Sequence, residues 1–196
     1  ERVRVRGWSG LAVLDGEGKP CLVVGEADFR NHAEQVRNIL KQPRIELVDL
    51  HRDSHGQVIY GILAPIGGAG GTPRGVAYLT WRADRALYPL VESWPVPTRT
   101  AETYLVRRDG EGVRFLTPLR HRHDAALTLT RPLGTPNLPA ARAVQGEHGI
   151  LEGGLDYRAV PVLAYAAAVA GTPWLMIAEI DETEAYAGIR TMAWAT

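Results

Sequence analysis

The feature that most constrains the fold of this chain is a tetrapeptide, Asp-Gly-Glu-Gly, that occurs twice. It spans residues 15–18 and residues 109–112. An apolar alternating run enters each copy and another leaves it, as in the stretch from Glu102 to Leu116. Asp-Gly between two such runs is the strongest short-range signal of a β-hairpin, because glycine accepts the positive φ angles that tight turns need. The sequence therefore predicts two similar hairpins in different parts of the chain.

A second pair of matching segments extends this duplication. Gly-Thr-Pro at 71–73 precedes the apolar run 75–81, and Gly-Thr-Pro at 171–173 precedes the apolar run 174–180. The two Gly-Thr-Pro segments are separated by nearly the same number of residues as the two tetrapeptides. Lengthening a surface loop by a few residues costs well under ~1 kcal/mol, so the small mismatch is no objection. We interpret the chain as two copies of one small unit.

Each copy has the predicted order strand, strand, helical segment, strand, strand, strand, helix. Successive strands joined by short turns favour antiparallel pairing. Pro95 and Pro97, two prolines one residue apart, mark the predicted boundary between a unit at 1–97 and a unit at 98–196. Residues 1–7 alternate charged and apolar side chains, which fits either a strand or the end of a helix.

The predicted elements follow from hydrophobic periodicity and from helix start signals. In the first unit they are strands at about 10–14, 21–25, 45–51, 58–64 and 75–81, with helices at 28–40, capped by Asp28, and at 83–92. In the second unit they are strands at about 102–108, 113–117, 149–155, 159–169 and 174–180, with a short helix at 140–145. A last helix begins at Asp181, where Asp181 and Glu184 have capping-box spacing. Its predicted apolar face consists of Ala185, Tyr186, Ile189 and Met192.

The composition is that of an ordinary globular chain and argues against a nucleic-acid module. The 196 residues are 45% hydrophobic, and 22 basic residues balance 22 acidic ones. Without a basic surplus, phosphate contacts lack their usual driving force. No apolar run approaches the ~18 residues that cross a bilayer, and the sequence shows no signal peptide. The single cysteine, Cys21, lies on a predicted strand and is expected to be a buried, inert thiol.

No motif in the sequence predicts catalysis, a cofactor or a metal ion. The glycine-rich segment 67–71 precedes Thr72-Pro73-Arg74, which leads into a strand, whereas a phosphate-binding P-loop needs Gly-Lys-Ser/Thr opening a helix. The segment 121–124, His-Arg-His-Asp, could place two imidazoles on one side of an extended chain. A third metal ligand is not identified there, so a solvated polar loop is favoured. No serine lies in a Gly-x-Ser-x-Gly elbow, and no acid and base pair has a catalytic spacing.

Four segments resemble a known family. They are Glu-Thr-Tyr-Leu-Val leading into Asp-Gly at 102–110, Phe-Leu-Thr-Pro-Leu-Arg at 115–120, Gly-Leu-Asp-Tyr-Arg with Pro-Val-Leu at 154–163, and Trp-Leu-Met-Ile-Ala-Glu-Ile-Asp-Glu-Thr-Glu-Ala-Tyr at 174–186. Together they resemble the membrane-proximal half of bacterial double-Cache domains, the tandem PAS-like extracytoplasmic sensors of histidine kinases and diguanylate cyclases. The resemblance covers 101–190 well, and over 8–94 it rests on strand order and the internal repeat.

The resemblance implies an α+β fold of two tandem PAS-like units, each a mainly antiparallel five-stranded sheet with flanking helices. Residues 1–97 would be the membrane-distal unit and residues 98–196 the membrane-proximal unit. Family members begin with a long helix that rises from the membrane, and residues 1–7 are too short for it. Because the first residue is also Glu1, we expect this chain to be part of a longer protein.

The implied function is an extracytoplasmic ligand sensor of a membrane-bound receptor, periplasmic in location, with a kinase or cyclase output domain outside this chain. The implied partner is a small molecule, with a homodimer as a further option, and neither enzymatic activity nor nucleic-acid binding is expected. The tyrosine, arginine and tryptophan signature of the amino-acid-binding branch is not found, so that ligand class is not carried over. The alternative is a structural or protein-binding module that relays the signal of a periplasmic partner without a ligand of its own.

PAS-like units bind ligands on the concave sheet face beneath their helical segment. In the first unit this points to five residues on predicted central strands: Asp49, His51, Tyr60, Tyr78 and Trp81. They combine aromatic walls with polar groups. The alternative is that the aromatic rings fill the core while Asp49 and His51 face water, because alternation shows which residues share a face but not which face is inward. Tyr104, Arg114 and Arg120 are weaker candidates in the second unit.

Overall fold

The computed structural model describes residues 8–27, 29–67, 71, 73–94 and 97–187. The chain forms two compact units, Glu1–Pro89 and Leu90–Thr196, which are called unit 1 and unit 2 below. Several predictions fall outside the described residues: those for 1–7, for the Asp28 cap, and for Ile189 and Met192 in the last helix. No helix in the described part of the chain is long and apolar enough to cross a bilayer.

Unit 1 is built on a five-stranded antiparallel sheet with the strand order β2-β1-β5-β4-β3. The helix α1 follows a short 3-10 turn, Arg30–His32, and short turns of helix follow β5. The bounds are β1 Trp8–Asp15, β2 Pro20–Gly25, α1 Ala33–Lys41, β3 Glu46–Arg52, β4 Val58–Ile66, β5 Gly75–Arg82, α2 Ala83–Ala86 and α3 Tyr88–Val91, the last of which spans the boundary between the two units.

Unit 2 has a six-stranded antiparallel sheet with the strand order β8-β7-β6-β11-β10-β9. The bounds are β6 Glu102–Asp109, β7 Gly112–Phe115, β8 Thr130–Pro132, α4 Pro139–Val144, β9 Gly149–Leu155, β10 Pro161–Ala168, β11 Leu175–Asp181 and α5 Glu182–Ala185. The prediction of a five-stranded second sheet omitted β8. This edge strand has only three residues and ends at Pro132, so it lacks the apolar alternation that identifies a strand in sequence.

The predicted repeat is confirmed by the strand orders. Without β8, the order in unit 2 is β7-β6-β11-β10-β9, which matches β2-β1-β5-β4-β3 strand for strand. The two Asp-Gly-Glu-Gly segments join equivalent strands, yet they form different turns. In the first, Gly18 has a φ of +80° and Asp15 Oδ1 accepts the backbone N–H of Glu17 at 2.8 Å. In the second, Gly110 has a φ of +58°, and Asp109 pairs directly with Gly112 across a two-residue turn.

The core of unit 1 lies between the sheet and α1. The helix has apolar residues at spacings of three and four, and it buries Val36 and Ile39 against the sheet. The sheet contributes one alternating face from four strands, consisting of Ala12, Leu14, Val48, Leu63, Val76 and Tyr78. We refer to this face of the unit 1 sheet as the helix face.

The core of unit 2 is larger and contains more aromatic side chains. Tyr104 and Phe115 are fully buried, and their ring centroids are 5.4 Å apart. The helix α4 buries three alanines and Pro139, so its backbone approaches the sheet closely. The remaining core residues are Val106, Val113, Leu119, Ala125, Leu129, Leu138, Leu151, Val162, Ala164, Ala166 and Ile177.

Three local predictions are wrong, each for a physical reason. The helix predicted at 83–92 is two short turns, because Pro89 has no N–H to continue the helical ladder. Cys21 is exposed, since it lies on the edge strand β2, where all six residues are exposed. Asp181 makes no side-chain cap of α5; its carboxylate accepts a hydrogen bond from Arg158 Nη2 at 2.6 Å instead.

We expect Gly61→Ala to destabilise unit 1 by about 1–3 kcal/mol, the usual cost of overpacking a core. A Cβ atom at Gly61 would lie 2.5 Å from Tyr78 Cε2 and 2.7 Å from the carbonyl oxygen of Leu79. Gly16→Ala is the matched control, because its nearest neighbour, the Arg74 carbonyl oxygen, is 3.6 Å away. Thermal melts of both variants test this, and equal losses of stability would contradict the close packing of Tyr78 on Gly61.

Candidate ligand-binding sites

The structure brings together two of the five predicted site residues, His51 and Tyr78. In antiparallel sheets, directly paired residues project to the same side. Tyr78 pairs with Leu63 and His51 pairs with Ile59, which lies four residues from Leu63 and therefore on the same face of β4. Both side chains therefore belong to the helix face.

Tyr60 and Trp81 lie on the opposite face of the sheet. They pair with each other across β4 and β5, and their rings stack with centroids 5.8 Å apart and an interplanar angle of 22°. Burial raises the pKa of the Tyr60 hydroxyl. The five predicted residues therefore do not share one face of the sheet. Side chains alternate between the two faces along a strand, and Tyr60 and Trp81 occupy the positions that point away from α1.

Asp49 is placed by a bulge in β3. The register of β3 against β4 shifts between Val48 and His51, so Asp49 leaves the regular alternation. The Asp49 carboxylate accepts the backbone N–H of Leu50 at 2.7 Å. The Asp49 carbonyl oxygen accepts a hydrogen bond from His51 Nδ1 at 2.8 Å. Asp49 therefore orients the His51 ring through its backbone.

The sequence reasoning missed His32, which completes the polar cluster on the helix face. Its ring lies 5.1 Å from the His51 ring and 5.4 Å from the Tyr78 ring, both edge to face. His32 ends the 3-10 turn just before α1. It is three residues after Phe29 and four before Val36, so the same spacing that identified the apolar face of the helix could have placed it there. We call His32, His51 and Tyr78 the imidazole cluster.

A cavity of about 490 Å³ lies beside this region of unit 1. Its volume is within the range of ~300–1,000 Å³ that is usual for small-molecule sites. Apolar walls from Val23 and Phe29 face polar groups of Arg30, Asp53 and His55, none of which was predicted. The complete lining is Pro20, Val23, Gly25, Glu26, Ala27, Phe29, Arg30, Asp53, Ser54 and His55.

Unit 2 carries a different kind of polar interior, built from carboxyl groups and tyrosines. Glu102 on β6 and Glu179 on β11 are directly paired across the two strands, and only 7% and 2% of their surfaces are exposed. The Tyr104 hydroxyl donates a hydrogen bond to Glu179 Oε2 at 2.8 Å. Among the described residues, Glu179 Oε1 has no hydrogen-bond partner.

Burial raises the pKa of Glu179 well above its ordinary value, and the nearby carboxylates of Glu102 and Asp156 raise it further, although the Tyr104 hydrogen bond opposes this shift. Burial also raises the pKa of Tyr104, as does its hydrogen-bond partner Glu179, with smaller contributions from Glu102 and Asp156. Burial and the neighbouring acidic groups thus favour the protonated forms of both side chains.

Glu102 is held in place by two segments, the loop that follows β9 and the segment that follows β7. The Tyr157 hydroxyl donates to Glu102 Oε1 at 2.7 Å, and the backbone N–H of Arg120 donates to Oε2 at 2.9 Å. Burial and these contacts with Glu102 raise the pKa of Tyr157. A cavity of about 380 Å³ opens beside Glu102, and its lining is Glu92, Glu102, Thr103, Pro118, Leu119, Arg120 and His123.

The segment 156–158 forms a turn and also neutralises charge. Asp156 Oδ1 accepts the backbone N–H groups of Arg158 at 2.7 Å and Val160 at 3.0 Å. The Arg158 guanidinium bridges Asp156 and Asp181, at 2.5 and 2.6 Å. The Arg158 guanidinium is thus shared by two carboxylates, those of Asp156 and Asp181.

The weaker candidates of unit 2 have three different environments. Tyr104 donates a hydrogen bond to the buried Glu179, and Arg120 lines the cavity of about 380 Å³ beside Glu102. Arg114 is bound to the Asp109 carboxylate at 2.5 Å and to the Leu127 carbonyl oxygen at 3.2 Å, so it ties the β6–β7 hairpin to the next loop. Within the described ranges, no group of three His, Cys, Asp or Glu side chains could hold a metal ion, and that includes the segment 121–124.

Comparison with solved structures decides the fold. The extracellular domain of mmHK1S-Z3, a protein assigned as a histidine kinase, superposes with a TM-score of 0.66 at 15% identity, covering 95% of this chain and 78% of that one. The ligand-binding domain of the Pseudomonas aeruginosa PAO1 amino acid chemoreceptor PctB, in complex with L-Arg, gives 0.62 at 15% identity, covering 97% and 72%. That of PctC from the same organism, in complex with GABA, gives 0.59 at 16% identity, covering 92% and 77%.

The chain has the tandem PAS-like fold of double-Cache sensor domains. The resemblance inferred from sequence is thereby confirmed as a likeness of fold, and it extends over both units. The sequence itself matches no protein-family model, and a search of curated proteins finds no significant match. The ligand-binding role of the five residues predicted from the Cache resemblance stays a prediction.

The buried carboxyl of Glu179 should give the Cache fold a pH-dependent stability. The folded state raises the pKa of Glu179 above its ordinary value of 4.5, so it holds a proton that the unfolded chain releases. This contribution to stability is fully present below about pH 4.5 and is lost as the pH rises toward the folded-state pKa. Glu179→Gln keeps the shape of the protonated acid and cannot titrate. We expect its melting temperature, relative to the wild type, to be higher at pH 8 than at pH 5.

Glu111→Gln is the matched control, because the Glu111 side chain is 94% exposed. Melting curves at pH 5, 6.5 and 8 for the wild type and both variants make the test. Parallel pH profiles of Glu179→Gln and the wild type would show that Glu179 is charged in the folded protein.

Proposed function

We propose that this chain is the extracytoplasmic ligand-sensing domain of a membrane-bound bacterial receptor, located in the periplasm. The observation that supports this most is the fold shared over both units with ligand-binding domains of chemoreceptors and with extracellular domains assigned to histidine kinases. The output domain, a histidine kinase or a diguanylate cyclase, lies outside this chain. The chain itself has no catalytic role in this proposal.

We assign the ligand to unit 1, the membrane-distal unit in this proposal. The cavity of about 490 Å³ is large enough for a small metabolite, and it combines apolar walls with the charged groups of Glu26, Arg30 and Asp53. Asp53 Oδ1 already accepts the backbone N–H groups of His55 and Gln57 at 2.9 and 2.8 Å. The Arg30 guanidinium is therefore the group that we expect to contact an acidic or polar end of the ligand.

Sensing requires the ligand to bind two conformations of the domain unequally. Each tenfold difference in affinity shifts the conformational equilibrium by about 1.4 kcal/mol. The β2 strand and the residues that follow it border the cavity. Every residue of β2 is exposed, so this border is held by fewer packing contacts than the rest of the sheet. Closure of this segment over the ligand is the conformational change that we propose.

A structural or protein-binding module is the second candidate. It is favoured by the packing of the helix face, where Tyr78 is fully buried and α1 covers the sheet. In such a module the cavities would stay empty, and a periplasmic protein would supply the signal. Binding experiments separate the two candidates.

A thermal-shift screen of organic acids, amino acids and polyamines tests the sensor, followed by calorimetry of any hit. A ligand present at 100 times its Kd adds about 2.7 kcal/mol of stability, which for a chain of this size raises the melting temperature by several degrees. A complete screen without any stabilising compound would favour the protein-binding module.

Substituting the arginine of each cavity shows where a compound found in the screen binds. We expect Arg30→Ala to weaken its binding at least about tenfold, the cost of one charge-assisted hydrogen bond. Arg120→Ala, the matched change in the cavity of unit 2, should leave the affinity unchanged. The reverse pattern would assign the ligand to unit 2 while leaving the sensor function intact.

A further inference from the structure

The edge strand β2 of unit 1 lacks a neighbour that its counterpart in unit 2 has. The shared strand order makes β2 equivalent to β7. In unit 2 the outer edge of β7 is covered by β8, with Val113 opposite Arg131 at the centre of the pairing. Among the described residues of unit 1, β2 pairs only with β1. Its other edge therefore presents backbone N–H and C=O groups to which a further strand can bind.

Of the four sheet edges in the described part of the chain, β2 is the one without the features that normally protect an edge strand. Such strands are protected by charged side chains, by proline or by short length. β3 carries Glu46, Asp49 and Arg52, β8 has three residues and ends at Pro132, and β9 contains Glu152 and three glycines. β2 has the sequence Pro-Cys-Leu-Val-Val-Gly, with no charge and with its proline at the first position. The rest of this strand is open to pairing.

The strand β2 exposes apolar side chains on both faces of the sheet. Val23 pairs with Ala12 and so lies on the same side as the helix face. Leu22 and Val24 flank Val23 in the strand, so they lie on the opposite side. The exposed fractions of Leu22, Val23 and Val24 are 49%, 47% and 42%. An added strand covers all three only if it has apolar residues on both of its own faces.

We propose that β2 pairs antiparallel with β2 of a second copy of this chain, which joins the two unit 1 sheets into one. The second copy supplies a strand with apolar residues on both faces. A two-fold axis perpendicular to the sheet keeps the equivalent faces of both copies on the same side, so apolar side chains lie beside apolar side chains on each face. One pairing uses the open β2 edge of both copies, so the assembly closes as a dimer.

The charges at the ends of β2 agree with the antiparallel direction. Lys19 precedes the strand and Glu26 follows it, and both are exposed. Antiparallel pairing places the lysine end of each strand beside the glutamate end of the other, whereas parallel pairing would bring like charges together. Lys19 also contacts Glu17 of its own chain at 2.7 Å, but an exposed ion pair of this kind contributes little to stability. The formal charge of the chain is zero, so net repulsion does not oppose association.

The symmetry of the dimer restricts the register of the two strands. Directly opposite residues project to the same face and neighbouring residues alternate, so the axis passes through a residue and not between two. An axis at Leu22 or at Val23 pairs residues 20–24 or residues 21–25, the longest overlaps within β2. The residue on the axis lies opposite its own copy at a Cα separation of about 4.5–5.5 Å, which is within the range that a disulfide spans.

Sedimentation equilibrium at chain concentrations from ~10 μM to ~1 mM tests the pairing, because a strand of this length makes a small interface and small interfaces belong to weak complexes. We expect a concentration-dependent dimer. Leu22→Lys introduces a charge into both copies, so we expect it to weaken dimerisation by at least ~10-fold. Ile150→Lys is the matched control, because Ile150 lies on the edge strand β9 and is 68% exposed; it should dimerise as the wild type does. Thermal melts of both variants check that the fold is kept.

Cysteine cross-linking tests the same pairing without adding a charge. In the Cys21→Ser background, we expect Leu22→Cys or Val23→Cys, whichever residue lies on the axis, to form a disulfide-linked dimer on mild oxidation. Ile150→Cys in the same background should stay monomeric. A chain that remains monomeric up to ~1 mM, a dimer that Leu22→Lys leaves intact, or a failure of both β2 cysteines to cross-link would overturn the proposal. The proposed ligand-sensing function would stand in each of these cases, because the pairing does not depend on it.

Discussion

The pairing of the first strand of each unit with its last strand is the constraint on which the rest of the structure depends. In unit 1, β1 pairs with β5 over nearly its whole length, and in unit 2, the first five residues of β6 pair with β11. Both pairings join residues that are far apart in sequence, so each unit closes only when its intervening hairpin and helix are in place. These strands lie in the middle of each sheet, so their register decides which side chains reach the interior.

Strand pairing also explains why the fold could be predicted from sequence and the site could not. Hairpins are local, so the Asp-Gly turns and the alternating runs beside them are visible in the sequence. The face on which a side chain lies depends on register, and a shift of one residue reverses it. Tyr60 and Tyr78 look alike in sequence, yet Tyr60 stacks on Trp81 on one face and Tyr78 is buried under α1 on the other. The β3 bulge that brings His51 to the helix face has no sequence signal.

The two units share one strand order, but the polar side chains in their interiors are of different types. The polar side chains on the helix face of unit 1 include two half-buried imidazoles, those of His32 and His51, each with its Nδ1 hydrogen bonded to an oxygen. Inside unit 2 they are carboxyl groups, with two tyrosines as donors and one arginine shared by two acids. The two units therefore differ in the chemistry that their interiors could offer to a ligand, and we propose unit 1 as the one that binds it.

The buried polar groups are the strongest physical reason to regard this fold as functional rather than only structural. An unsatisfied buried polar atom costs about 1–3 kcal/mol, and an apolar side chain of similar volume at Glu179 or His51 would avoid that cost. Net stabilities of domains are only ~5–15 kcal/mol, so such a cost is a sizeable fraction of the total. Local rules are broken in this way mainly where a site needs its chemistry. In unit 1 the atom concerned is His51 Nε2, which is buried and has no hydrogen-bond partner among the described residues.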